Sequence, residues 1–199
     1  WREKTVDQAI GQLTSWDEAY MLLDRWALVP RQKVAVLNYA VAAPNKTLSD
    51  WWYIRQNGQV HSDVHWSEQA ADSIIATTDD LTYLRLLVET ASPRQILAMV
   101  HRLNSWPNLT TENLVSWVNS IPDQSIAYRV LQDQATRRSN GDLVDAYNQL
   151  GDTPVKNWII DILRQRNPSM NEWNEIYLRS KEGSRLMTLA AIGSLRCDQ

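Results

Sequence analysis

The spacing of the prolines is the feature that most constrains how this 199-residue chain can fold. Three pairs of prolines share an internal spacing of 14 residues, and successive pairs lie 63 and 61 residues apart: Pro30 with Pro44, Pro93 with Pro107, and Pro154 with Pro168. The segments that follow the first proline of each pair are similar: PRQKVAVL, PRQILAMV and PVKNWIIDIL. Such a period is typical of a protein built from repeats.

Apolar residues recur at three- and four-residue spacing along most of the chain, which favours helices over strands. Each repeat of about 62 residues has room for four short helices, or two hairpins of about 31 residues. The predicted helices span 5–14, 17–28, 31–42, 48–57, 64–77, 80–91, 94–104, 110–120, 124–138, 142–150, 155–165, 169–180 and 184–196. We expect an all-α fold, a right-handed α-solenoid that forms one domain from repeats at 1–62, 63–123, 124–182 and a partial fourth at 183–199.

The repeat register also predicts the role of individual positions. Aspartates at three predicted helix starts are expected to be N-caps: Asp17, Asp80 and Asp142. Two sets of equivalent positions are expected in the core: Val34, Leu97 and Trp158, and Trp52, Val115 and Ile176.

The hairpins resemble HEAT-like repeats of the phycobilisome-lyase type, with a proline near a helix start and an aspartate near a turn, as in QLGDTPVKNWIIDIL. This resemblance is at the level of a degenerate repeat and covers most of the chain. Trp, Leu and Ile replace much of the Ala and Gly that usually pack in such repeats, so tetratricopeptide-like or unclassified helical hairpins remain alternatives. The resemblance implies a scaffold that binds other macromolecules, and it implies no catalytic residue.

Composition and missing motifs disfavour several functions. A net charge of -3 without a lysine-rich run argues against a general nucleic-acid binder. The longest apolar stretches, 84–88 and 186–192, are far shorter than the ~20 residues of a membrane-spanning helix. Neither GxSxG nor GxGxxG nor a Walker-type lysine motif occurs, so no cofactor is expected and catalysis is not favoured. Carboxylates that meet in the fold would still allow an enzyme.

Trp51, Trp52 and Tyr53 are the first candidates for a binding surface. Two neighbours on a helix cannot both face the core, so one tryptophan is predicted to reach the surface together with Tyr53. Packing between hairpins could instead bury both indole rings. Exposed aromatic rings on a helical repeat would mark a surface that binds proteins or sugars.

Four arginines are the nearest approach to a basic cluster: Arg137, Arg138, Arg164 and Arg166. They could dock an acidic partner or nucleic acid, although a solvated charged face is the simpler interpretation. The segment HSDVH places His61 and His65 four residues apart, the spacing of a helical metal-binding pair. This is a weak metal candidate, because the segment also fits a helix start with Asp63 or Ser62 as its cap.

The sequence predicts a non-catalytic helical-repeat scaffold that mediates protein–protein interaction, as part of a larger protein or assembly. The alternatives are a glycan-binding or accessory module of an exported enzyme that uses exposed tryptophans, and a metal-dependent enzyme at His61 and His65. The sequence does not determine the cellular compartment. The start at Trp1 and the single cysteine, Cys197, slightly favour an exported or periplasmic protein. The apolar segment 183–195 is expected to be covered by a partner or by further chain.

Overall fold

The computed structural model describes residues 2–107 and 109–197, and over these residues the chain is all-α, as the sequence predicts. The thirteen helices of this part of the chain are α1 (Arg2–Ile10), α2 (Trp16–Arg25), α3 (Pro30–Ala42), α4 (Leu48–Asn57), α5 (His65–Thr77), α6 (Leu81–Val88), α7 (Pro93–Asn104), α8 (Thr111–Val118), α9 (Gln124–Ala135), α10 (Asn140–Gln149), α11 (Pro154–Gln165), α12 (Met170–Arg179) and α13 (Arg185–Cys197). None of these helices is both long enough and apolar enough to cross a membrane.

The chain divides into two compact units, residues 1–83 and 84–199, and the division falls within α6. In the N-terminal unit α3 packs against α1, α2, α4 and α5, and α4 packs along α5. In the C-terminal unit α9 packs against α7 and α11, α10 packs against α8 and α12, and α12 packs along α13. Within each unit, helices therefore contact the next helix but one as well as neighbours in sequence.

The N-terminal unit combines an apolar core with side-chain hydrogen bonds that join its helices. Gln32 on α3 is buried, and its side-chain nitrogen donates to Asp7 Oδ1 on α1 at 2.8 Å. This hydrogen bond lowers the pKa of the Asp7 carboxyl against a smaller opposing effect of burial, and the hydrogen bond and charge of Arg31 lower it further by lesser amounts. The Trp66 indole on α5 donates to Asn38 Oδ1 on α3 at 2.8 Å. These bonds satisfy polar groups that would otherwise be costly to bury.

Local sequence signals explain where the helices begin. Pro30, Pro93 and Pro154 begin α3, α7 and α11, where proline's missing N–H has no helical partner to lose. The expected N-cap role of Asp17 and Asp142 is wrong, because both residues lie inside their helices.

Serine hydroxyls supply the caps at these two helices. Ser15 accepts from the backbone N–H of Glu18, and Ser139 accepts from that of Asp142. Asp142 returns a hydrogen bond by accepting from the Ser139 N–H at 3.0 Å, which completes a capping box. Asp80 does bind the start of its helix, since its carboxylate accepts from the Thr82 N–H at 2.8 Å.

The prediction that Leu97 lies in the core is wrong, because this side chain is 57% exposed. The buried face of α7 instead includes Met99, which aligns with Val36 on α3 and Ile159 on α11. Ile159 is one residue closer to its proline than Val36 and Met99 are to theirs. In α11 the buried face is therefore shifted by one residue relative to the proline that begins the helix. An alignment of the three prolines cannot detect this shift.

Candidate functional site

Trp51 faces the core of the N-terminal unit and is only partly exposed. The Lys46 ammonium lies 4.3 Å from the centroid of the Trp51 ring, in a cation–π contact. Lys46 Nζ also donates to the carbonyls of Val41 and Ala43 at the C-terminal end of α3. Burial lowers the pKa of Lys46, against a smaller opposing effect of Asp50. Trp51 is therefore part of a structural contact that also caps a helix.

Tyr53 lies on the side of α4 that faces α2, where it meets two aromatic rings. Its ring centroid is 4.7 Å from that of Tyr20 and 6.3 Å from that of Trp16. Trp16 and Tyr20 also contact each other, at 5.9 Å. Tyr20 is 37% exposed, and the other two side chains are half-buried. These edge-to-face contacts leave part of the cluster open to solvent.

Trp52 meets Tyr83 on α6, with ring centroids 5.9 Å apart. Both side chains are half-buried. Rings from α2, α4 and α6 thus form a set within the N-terminal unit, which we name the aromatic row: Trp16, Tyr20, Tyr53, Trp52 and Tyr83. Trp51 and Trp52 are both half-buried, since packing between helices covers each ring incompletely.

Tyr53 is the member of the aromatic row whose electrostatic surroundings are most perturbed. The pKa of Tyr53 is raised, first by burial and then by the Asp24 carboxylate and by Tyr20. The phenol therefore keeps its proton. Asp24 is exposed and adds a negative charge beside the rings. The arrangement suits apolar and hydrogen-bonding contacts rather than proton transfer.

Two of the four candidate arginines bind backbone carbonyls of their own unit. Arg166 donates to the carbonyls of Ala135 and Arg138 and, at 2.6 Å, to Asn140 Oδ1. Burial lowers the pKa of Arg166, against a smaller opposing effect of Glu172. Arg138 donates to the Leu109 carbonyl at 2.7 Å.

The other two arginines lie at the surface. Arg164 is paired with Asp161 at 3.9 Å, and Arg137 is exposed. Since Arg138 and Arg166 are engaged with the backbone, the four guanidinium groups do not all point outwards as a basic patch would need.

His61 and His65 do not lie on one face of a helix. His61 is in the turn before α5 with a φ of 53°, whereas His65 is the first residue of that helix. The Asp63 carboxylate accepts a hydrogen bond from the His65 N–H at 2.9 Å, so Asp63 pairs a backbone donor at the start of α5. Among residues 2–107 and 109–197, no three His, Cys, Asp or Glu side chains are grouped as a metal site would require.

Sequence reasoning missed Trp16, Tyr20 and Tyr83 as members of the site. Trp16 and Tyr20 are four residues apart, a spacing that places both on one face of α2, and this signal could have identified them. Their contact with Tyr53 depends on how α2 packs against α4, which local sequence does not reveal. Comparison of the chain with protein-family models, with curated proteins and with solved structures finds no match.

Proposed function

We propose that this chain is a non-catalytic helical-repeat protein that binds another protein through the aromatic row, as part of a larger assembly. The observation that carries the proposal is the set of five partly accessible rings on three alternate helices of the N-terminal unit. Protein-binding surfaces are enriched in tyrosine and tryptophan, because these rings bury a large area with few rotatable bonds. Tyr20, the most open ring of the row, is the expected centre of contact.

A repeat of about 62 residues is part of the proposal, in the form of a right-handed solenoid of HEAT-like or tetratricopeptide-like hairpins. Support comes from the positions of the helices along the chain. The first proline of each pair begins a helix, and the buried positions Val36, Met99 and Ile159 recur at 63 and 60 residues. Further support is the packing of helices on the next but one within each unit: α1 on α3, α3 on α5, α7 on α9, α8 on α10, α9 on α11 and α10 on α12.

The geometry of the rings favours a protein partner over a glycan. A sugar stacks on an open, flat aromatic face, whereas neighbouring rings of the aromatic row are inclined to each other by 50–71°. Each ring therefore covers part of its neighbour's face with an edge. What stays accessible is an uneven apolar surface beside Asp24, which is suited to interdigitating side chains.

Affinity capture with two matched tyrosine variants tests this proposal. Tyr20→Ala is expected to reduce the recovery of a specific partner about tenfold, because tyrosines at the centre of an interface commonly contribute more than 1 kcal/mol. Tyr177→Ala is the control, since Tyr177 is 38% exposed, lies on α12 of the C-terminal unit and is not a member of the aromatic row. The tagged full chain is crosslinked mildly in extracts of its source organism, and proteins are quantified by mass spectrometry.

Circular dichroism establishes that both variants are folded before capture. Equal recovery of every captured protein by wild type and Tyr20→Ala would overturn the proposal. So would a loss of recovery that is the same for Tyr20→Ala and Tyr177→Ala. This design avoids Trp51, because its contacts with the core and with Lys46 mean that truncation would also disturb the fold.

A further inference from the structure

An apolar groove of about 620 Å³ runs between α7 and α9 in the C-terminal unit, and neither the sequence nor the proposed function accounts for it. Its floor is formed by Ile96 on α7 and Val130 on α9, which are both buried. Half-buried Ile126 continues the floor, and Leu97 borders the groove with more than half of its side chain exposed. The groove and the exposed Leu97 side chain together form a contiguous apolar surface, and such surfaces mark sites where a partner binds.

The α9 side of the groove extends from residue 126 to residue 136. At 1.5 Å per residue this is roughly 15 Å, or about three helical turns. Ile126, Val130 and Asp133 recur at the spacing of one helix face. The groove is thus long enough to accommodate a short helix. Such a helix would lie along α9 and place apolar residues at i, i+4 and i+7 in the groove.

Arg129 supplies the charge that defines the occupant. It lies in the middle of the α9 side of the groove, and within residues 2–107 and 109–197 its guanidinium makes no hydrogen bond or ion pair. The nearby Asp133 carboxylate accepts from the Gln134 side chain at 3.3 Å. An exposed guanidinium beside an apolar surface is complementary to a carboxylate that arrives with aliphatic side chains.

We propose that the groove between α7 and α9 binds an amphipathic helix of a partner protein, with aliphatic side chains in the groove and a carboxylate on Arg129. An anionic lipid surface fits less well, because its many negative charges would face Asp133 as well as Arg129, whereas a helix can place a single carboxylate beside Arg129. This site is separate from the aromatic row and uses different side chains. Its test is therefore independent of the proposed function.

Selection from a phage-displayed library of random 16-residue peptides tests the proposal with the full chain as bait. Enriched peptides are expected to carry Leu or Ile at i, i+4 and i+7 together with Asp or Glu. Synthetic versions of these peptides are then titrated by fluorescence anisotropy. Arg129→Glu and Leu97→Asp are each expected to weaken their binding at least tenfold, because the first reverses the pairing charge and the second places a carboxylate at the apolar border.

Arg164→Glu is the matched control, since Arg164 is also an exposed arginine with an acidic residue close by in its own helix. It is expected to change affinity less than twofold, as is Tyr20→Ala. Circular dichroism verifies that all variants are folded. The proposal is overturned if the library yields no enrichment over an unrelated bait, if enriched peptides lack acidic residues, or if Arg129→Glu binds them as tightly as wild type.

Discussion

Arg166→Met is expected to lower the free energy of unfolding by about 3 kcal/mol, since hydrogen bonds of charged groups contribute ~1.5–3 kcal/mol each. The guanidinium joins the end of α11 to two carbonyls at the end of α9, those of Ala135 and Arg138, and to Asn140 at the start of α10. Methionine keeps an unbranched apolar chain but removes all three hydrogen bonds, and only the Ala135 carbonyl keeps another donor, the Arg138 N–H. Urea unfolding followed by far-UV circular dichroism measures the change.

Arg164→Met provides the matched control for this prediction. The Arg164 side chain is 52% exposed, and its ion pair with Asp161 is long at 3.9 Å. Exposed pairs of this kind contribute ~0.2–1 kcal/mol at most, so this variant should unfold close to wild type. Equal urea midpoints for the two variants would show that Arg166 does not hold the three helices together.

Gly193→Ala is expected to destabilise the protein by about 2 kcal/mol, in the range of overpacked cores. A Cβ atom at Gly193 on α13 would lie 2.5 Å from the indole ring of Trp173, which is buried on α12. Helix propensity alone predicts the opposite sign, because alanine in a helix interior is favoured over glycine by about 1 kcal/mol. The measured sign therefore separates the effect of close packing from that of propensity.

Gly151→Ala is the control with the same chemical change. Gly151 lies outside the helices, and no heavy atom lies within 4 Å of the position that its Cβ would take. This substitution should leave stability unchanged or raise it by about 0.5 kcal/mol, through the reduced freedom of the unfolded chain. A Gly193→Ala protein as stable as Gly151→Ala in thermal unfolding would contradict the close α12–α13 contact.

Helices were predictable from sequence because their signals are local. Proline at the first helical position and a serine before it define the start of α7, and both are visible in the string SPRQILAMV. Periodicity also predicted the all-α class. The ends of helices were less accurate: α1 ends at Ile10 rather than at residue 14, because Gly11 and Gln12 turn the chain before the Ser15 cap.

Which side chains meet in space was not predictable in the same way. Leu97 looks like a core residue in sequence, yet it borders the groove because α7 turns another face inwards. Arg166 looks like part of a basic cluster, yet its partners Ala135 and Arg138 lie 31 and 28 residues earlier in the chain. The contact between Trp16 and Tyr53 likewise joins two helices that are not consecutive. Each of these outcomes depends on helix packing rather than on local spacing.

Site-specific photo-crosslinking at residue 20 tests the central claim most directly. Benzoylphenylalanine is placed at Tyr20 in one sample and at Tyr177 in another, two tyrosines of nearly equal exposure, 37% and 38%. The account predicts that illumination in cells of the source organism produces one discrete crosslinked protein with the probe at residue 20 and not with the probe at residue 177. No crosslinked protein at residue 20, or the same products from both positions, would contradict protein binding by the aromatic row.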